Sequence, residues 1–248
     1  VLLNRPDQRN AINYEMWLEL SRVLSDVERD TEVRAVVFSG AGGEAFSAGA
    51  DIKDFQLYRK NAIQTRTVYD SAEKDAMQRI EQFPKPTISL IKGFCLGAGC
   101  ELAAGTDIRV AADNGCFGIP ASRLGINISF EQMRRLVLLV GPGNALHLLL
   151  GGGRVDAQEA LRIGLVNAVV PLDQVDEFTS KLSADIAANA PLSHRRHKEM
   201  LKTVLSNPGL RGLSPEEEEL PYLNFDSEDF QEGIFAFLEK RRPRFEGR

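Results

Sequence analysis

Two glycine-rich segments constrain this chain more than any other feature: SGAGGEAFSAGADIK at residues 39–53 and GFCLGAGCELAAGTD at 93–107. Each follows a short apolar, β-branched run, EVRAVVFSGA or PTISLIKGF, and each leads towards a helix. Two further strand-like runs, DIRVAAD and LVNAVVP, come later. Helical periodicity occupies residues 14–29, 63–82 and 130–150. Strands alternating with helices predict an α/β core with mostly parallel pairing. Beyond the fourth run only helical patterns remain, near 172–189, 192–206 and 227–240. The expected division is a core over 1–171 and a C-terminal helical region over 172–248, with NPGLRGLSPEEEE as a loop.

Charge and composition exclude several function classes. A net charge of −5 leaves no basic excess to neutralise phosphates, against a general nucleic-acid or membrane-surface role. The basic clusters SHRRHKEMLK and EKRRPRFEGR read as solvated helix faces. Cys95, Cys100 and Cys116 form no CxxC pair and fit free thiols in a reducing compartment, so a cytoplasmic location is expected. His147, His194 and His197 are too scattered for a zinc site, and His147, among leucines, is expected to be packed. No apolar run approaches the roughly 20 residues of a membrane helix, and no signal peptide is visible. The chain opens on Val1 inside a strand-like run, without Met, which raises the expectation of a start further upstream.

The glycine-rich turns carry a specific chemical possibility. Unpaired backbone N–H groups at a helix start favour negative charge, because the donors are free and the dipole is aligned. Two such turns converging on one point would hold a carbonyl oxygen as it becomes an oxyanion. Small residues at 48–50 (Ala48, Gly49, Ala50) and 97–99 (Gly97, Ala98, Gly99) allow close approach of a ligand to the main chain. Turns of this kind also serve purely structural ends in α/β proteins. Neither segment has GxGxxG spacing, and the chain lacks both GxxxxGK[ST] and GxSxG, which removes the common nucleotide and serine-hydrolase readings. Glu101 lies in an apolar run where a solvated carboxylate is out of place, and burying one is costly unless it is paired or used.

Six stretches, in order, carry a resemblance: LNRPDQRNAI, AFSAGADIK, KPTISLIKGFCLGAGCELAAGTDIRVAAD, FGIPASRLGI, GGGRVDAQEALRIGLVNAVVP and FLEKRRPRF. Over essentially its whole length the sequence resembles the enoyl-CoA hydratase/isomerase (crotonase) superfamily. That resemblance implies the α/β crotonase (ClpP/crotonase-like) fold, a ββα-repeat core with a C-terminal helical region for trimerisation or a lid. It implies an acyl-CoA substrate, with coenzyme A as part of the substrate and no separate cofactor or metal. It also implies a homotrimer or a hexamer built as a dimer of trimers. The oxyanion amides would come from Ala50 and Ala98, and the acid/base from Glu101. CoA contacts would fall on Asp7, Gln8, Arg9, Ala48, Asp51, Ile52 and Lys53, with Phe237 and Lys240 reaching the same or an adjacent subunit's site.

The resemblance also locates a departure. Family hydratases carry a second glutamate shortly after an FG strand, and the matching residue here is Ala121. A further acidic position used by some isomerases, dehalogenases and hydrolases falls on Ser129. One carboxyl group can in principle take a proton from water and return it to carbon, yet losing an acid/base group generally costs about 10²–10⁴ in rate. The expectation is therefore hydration or isomerisation of a thioester using Glu101. The alternatives are a decarboxylase or thioester hydrolase on the same scaffold, or a catalytically silent acyl-CoA-binding member. Ser129, Ser122 and Tyr69 are the candidates for a supplementary proton or for holding water.

Overall fold

A computed structural model describes all 248 residues. The chain runs β1 (Leu2–Leu3), α1 (Tyr14–Arg29), β2 (Val36–Gly40), β3 (Ala45–Ser47), α2 (Lys53–Tyr58), α3 (Ala62–Gln64) and α4 (Asp70–Gln82). It continues with β4 (Thr87–Ile91), β5 (Phe94–Leu96), α5 (Ala98–Gly105), β6 (Ile108–Ala112), β7 (Cys116–Gly118) and α6 (Phe130–Gly151). Last come β8 (Val155–Asp156), α7 (Ala157–Arg162), β9 (Ala168–Val170), α8 (Val175–Ala187), α9 (Pro191–Ser206), α10 (Pro215–Glu219) and α11 (Glu228–Leu238).

Consecutive strands part company into two sheets. The first has the order β1-β2-β4-β6-β9, parallel throughout; the second has the order β3-β5-β7-β8, parallel except at β7–β8. Three successive pairs, β2/β3, β4/β5 and β6/β7, each send one strand to each sheet before the next helix, the expected ββα pattern. Strand β4 is buried along nearly its whole length, as a parallel strand covered on both faces must be. Its two polar residues are satisfied: Ser89 pairs with Thr106 at 3.0 Å, and the Thr87 hydroxyl donates to Asp107 at 2.9 Å.

One large apolar cluster, centred on Trp17, Phe38, Phe46, Phe83 and Phe117, joins α1 and α4 to the sheets and α6. A smaller cluster of Ile88, Val110 and Val175 seats α8 on the far face of the first sheet. By contrast, α9 buries no residue completely, and Phe225, Phe235 and Phe237 stand exposed on the C-terminal tail. No helix is long and apolar enough to cross a membrane.

Local rules account for the boundaries. Asn13 caps α1 by accepting from Met16 N–H, and Asp156 caps α7 by accepting from Glu159 N–H at 2.8 Å. The pattern expected to be one helix at 63–82 is interrupted by a π-turn at Thr65–Tyr69. Helix α6 bends at Gly141, whose φ of 73° breaks the helical ladder just before Pro142. Two expectations are corrected. His147 is exposed rather than packed, because it falls on the outer side of α6. The basic run in α9 is not simply solvated: Lys198 is largely covered and bonds Asp107 at 2.6 Å and the Lys85 carbonyl at 3.0 Å.

Candidate active site

The first loop sets the platform. Arg9 and Asn10 both adopt left-handed backbone conformations, which turn the chain sharply after a one-turn helix. The buried Asn10 amide holds that turn by donating to Ala41 O at 2.9 Å and Ala45 O at 2.7 Å. The loop then pairs with the first glycine-rich segment: Ala48 N–H donates to Arg9 O, Ile12 N–H to Gly49 O and Asp51 N–H to Ile12 O. This is a parallel bridge between Ile12 and Ala50. In such a bridge the groups flanking Ala50 are used, so its own N–H is left out of the pairing, and Ala50 is among the residues that line the cavity.

The second segment meets the first through its glycines. Gly49 has φ +108°, and a β-carbon there would lie 3.0 Å from Leu96 O and 3.7 Å from Ala98 N. A β-carbon on Gly97 would lie 3.7 Å from the Gly49 α-carbon. Ala98 opens α5, so its N–H has no acceptor within the helix, while the preceding Gly97 N–H is taken by Gly118 O at 2.8 Å. Gly99 seats the helix on β3, because a β-carbon there would be 2.5 Å from that of Ser47. Two free amides, Ala50 and Ala98, therefore line one cavity of about 1060 Å³.

One turn into α5, Glu101 enters the same cavity, buried at 8% exposure. Its carboxylate accepts from Gln132 Nε2 at 2.7 Å, and the same nitrogen donates to Glu73 of α4 at 2.9 Å. Burial is the main force raising the pKa of both carboxyl groups above the usual range, and their mutual repulsion adds to it for Glu101. Arg59 and Arg135 oppose the shift. Arg59 is stacked between the rings of Phe55 and Tyr69, 4.6 Å from each, and Arg135 pairs with Glu81 at 2.7 Å.

The other expected residues separate into groups. Ala48, Ile52, Ala121 and Ser129 line the main cavity with Ala50, Ala98 and Glu101. Asp7, Gln8 and Arg9 line a neighbouring cavity of about 560 Å³. Arg9 also bonds Glu44 at 2.6 Å and stacks on Phe94, whose ring carries Arg154 of the main cavity as well. Asp51 and Lys53 line neither cavity; Asp51 is tied to Arg5 at 2.9 Å. Phe237 and Lys240 are exposed at the end of α11 and line neither.

Three hydroxyl groups are otherwise engaged. Tyr69 is completely buried outside the cavity lining, and its oxygen accepts from Trp17 Nε1 at 3.2 Å, so it is not placed to exchange a proton with a ligand. Ser122 donates to Leu149 O at 2.9 Å, and Ser129 caps α6. Sequence motifs missed Glu73, Gln132, Arg59, Arg135 and Arg154, all on the cavity wall. The one available signal was the Ser129-x-x-Gln132 capping pattern, which places Gln132 in the first turn of α6.

The fold and site define a class of protein: an α/β scaffold in which two free backbone amides and a buried carboxyl group line one cavity. An enoyl-CoA hydratase/isomerase family description matches residues 1–248. A short-chain-enoyl-CoA hydratase of Clostridium acetobutylicum is 37% identical over 98% of this chain and 91% of its own length. The 2,3-dehydroadipyl-CoA hydratase of Escherichia coli is 35% identical over 99% of this chain and 94% of its own. Among solved structures, an enoyl-CoA hydratase/carnithine racemase from Magnetospirillum magneticum superposes with a TM-score of 0.95 at 37% identity, covering 100% of this chain and 91% of that one. The chain belongs to the enoyl-CoA hydratase/isomerase family, and its two sheets and C-terminal helices are the crotonase fold.

Proposed function

We propose that this protein hydrates a 2-enoyl-CoA thioester. The observation that carries the reading is that Ala50 and Ala98, whose N–H groups make no backbone hydrogen bond, line the same cavity as Glu101. A thioester oxygen received by the two N–H groups gains negative charge as water adds to the β-carbon. Hydrogen bonds to that oxygen strengthen with the charge, and the aligned peptides at the start of α5 add to the effect. One such donor is typically worth about 10²–10³ in rate. Glu101 lies one turn beyond Ala98 and keeps its proton to higher pH than a solvated carboxyl group, which suits it to return a proton to the α-carbon. The hydratase names of the two relatives point the same way.

Arg9 and Arg154, both stacked on the Phe94 ring, are suited to the CoA phosphates, with the backbone of Ala48 to Ile52 alongside. The exposed phenylalanines of the C-terminal tail support assembly into a trimer or hexamer, in which Phe237 and Lys240 would reach a neighbour's CoA site. One observation favours a second reading: Ala121 supplies no carboxylate at the cavity wall, which suits decarboxylation or thioester hydrolysis on the same amides. Incubation with crotonyl-CoA, a 3-enoyl-CoA and malonyl-CoA, with products read by mass, decides between them. Addition of one water to crotonyl-CoA is expected. Loss of carbon dioxide from malonyl-CoA or release of free CoA, without hydration, would overturn the reading.

A further inference from the structure

Of the carboxylates that line the cavity with Glu101, Glu73 is the one that shares a hydrogen-bond donor with it, and no family motif marks it. Glu73 sits in the first turn of α4, and Glu101 in the first turn of α5. Gln132 on α6 bonds both, so their facing oxygens lie no farther apart than two hydrogen bonds, the span one water bridges. The Gln132 amide cannot turn over without loss. Its oxygen already accepts from Ser129 N–H at 2.6 Å, which commits Nε2 to the carboxylates. The charged groups facing the pair are Arg59, following α2, Asp70 on α4 and Arg135 on α6. Two carboxylates this close do not both ionise readily, so the pair tends to hold one proton. The Arg59 cation favours negative charge on both, ranking ahead of every other charge for Glu73 and behind Arg135 for Glu101.

We infer that Glu73 is the second acid/base group of this site, working with Glu101 on one water in the role for which Ala121 has no side chain. The inference rests on the hydration reading. In the step, the ionised carboxylate of Glu73 takes a proton from water as the water oxygen bonds to the β-carbon. The π electrons move to the thioester oxygen, giving an enolate held by the Ala50 and Ala98 amides. The enolate then reforms the carbonyl and its α-carbon takes the proton from Glu101. The pair gains one proton and gives one up. Only its location has changed, and exchange through solvent restores it.

The test compares wild type, Glu73→Gln, Glu73→Asp and the double variant Glu73→Gln/Ala121→Glu, all as full chains, for hydration of crotonyl-CoA across pH. Glu73→Gln is expected to lower kcat by about 10²–10⁴, with KM within about threefold and loss of the acidic limb of the pH profile. Glu73→Asp should retain more activity than Glu73→Gln. Recovery of tenfold or more in the double variant, by roughly restoring one acid/base group, would support the role directly. A folded Glu73→Gln protein with kcat within threefold of wild type, or one changed only in KM, would overturn the inference alone. A wild type that hydrates no enoyl-CoA would overturn the hydration reading along with it.

Discussion

Ser129 and Gln132 hold each other at the start of α6: Gln132 N–H donates to Ser129 Oγ at 3.2 Å, and Ser129 N–H to Gln132 Oε1 at 2.6 Å. This reciprocal cap satisfies two helix-end donors, and it also fixes the orientation of the amide that contacts Glu73 and Glu101. Ser129 therefore acts on the site through Gln132. Ser129→Ala should cost about 1 kcal/mol of stability and lower the thermal midpoint by about 2–4 °C. In a hydration assay it should lower kcat only modestly, since the main-chain N–H of residue 129 that orients the Gln132 amide remains. Complete inactivation of a folded Ser129→Ala protein would mean its hydroxyl itself takes part in the chemistry.

The acidic pair should show in the pH dependence of folding. Burial raises both pKa values in the folded state. Between the ordinary carboxylate range and those raised values the folded chain holds more protons than the unfolded one. Stability contributed by these groups is then present at low pH and lost as pH rises through the folded pKa values. Glu101→Gln removes one of them. Its thermal midpoint should gain on wild type as pH rises from mildly acidic to alkaline, by about 2–4 °C for each kcal/mol relieved. An equal offset at all pH values would show that Glu101 titrates normally.

Gly49 tests the oxyanion geometry separately from the acid/base chemistry. Its φ of +108° is unfavourable for any other residue, and a side chain would press on Leu96 O at 3.0 Å. Gly49→Ala should push the two segments apart and misalign the Ala50 N–H. Expected is a kcat loss of about 10²–10³ with the carboxyl groups untouched, measured beside circular dichroism to confirm folding. Retention of full activity would argue that the Ala50 amide is not a catalytic donor.

The C-terminal face provides a test of assembly. Phe225, Phe235 and Phe237 are 57%, 56% and 82% exposed on one short stretch of chain, and exposed apolar side chains that gather into a patch mark interaction sites. Light scattering should find three or six subunits per particle, and Phe235→Glu should shift the population towards smaller species. A wild type that is monomeric at all concentrations would contradict the proposed assembly.

Much of this architecture was legible because its signals are local. The β-branched runs mark β2, β4, β6 and β9, and the helix expected at 14–29 is α1 residue for residue, bounded by the Asn13 cap. Strands β3, β5 and β7 have three residues each, too few for a periodic signal, and they acquire meaning only as partners in the second sheet. The segment expected to be a loop at 207–219 ends in one helical turn, closed by a Ser214–Glu217 capping box that the pattern S-P-E-E already encodes. Within the site, the glycine-rich turns and the out-of-place charge of Glu101 stand out in the residues themselves, while the choice of the Ala50 and Ala98 amides comes from the family resemblance. Glu73 does not. It reads as an ordinary first-turn acid beside Ala72, Ala76 and Met77, and only the packing of α4, α5 and α6 brings it to Glu101.

The most direct measurement is the rate of crotonyl-CoA hydration by wild type and by Glu101→Gln, each shown to be folded and to bind the thioester. Wild type should add water to the double bond, and Glu101→Gln should do so about 10²–10⁴ times more slowly at a similar KM. A Glu101→Gln protein as fast as wild type would contradict the account, because the buried carboxyl group beside the two amides would then have no part in the reaction.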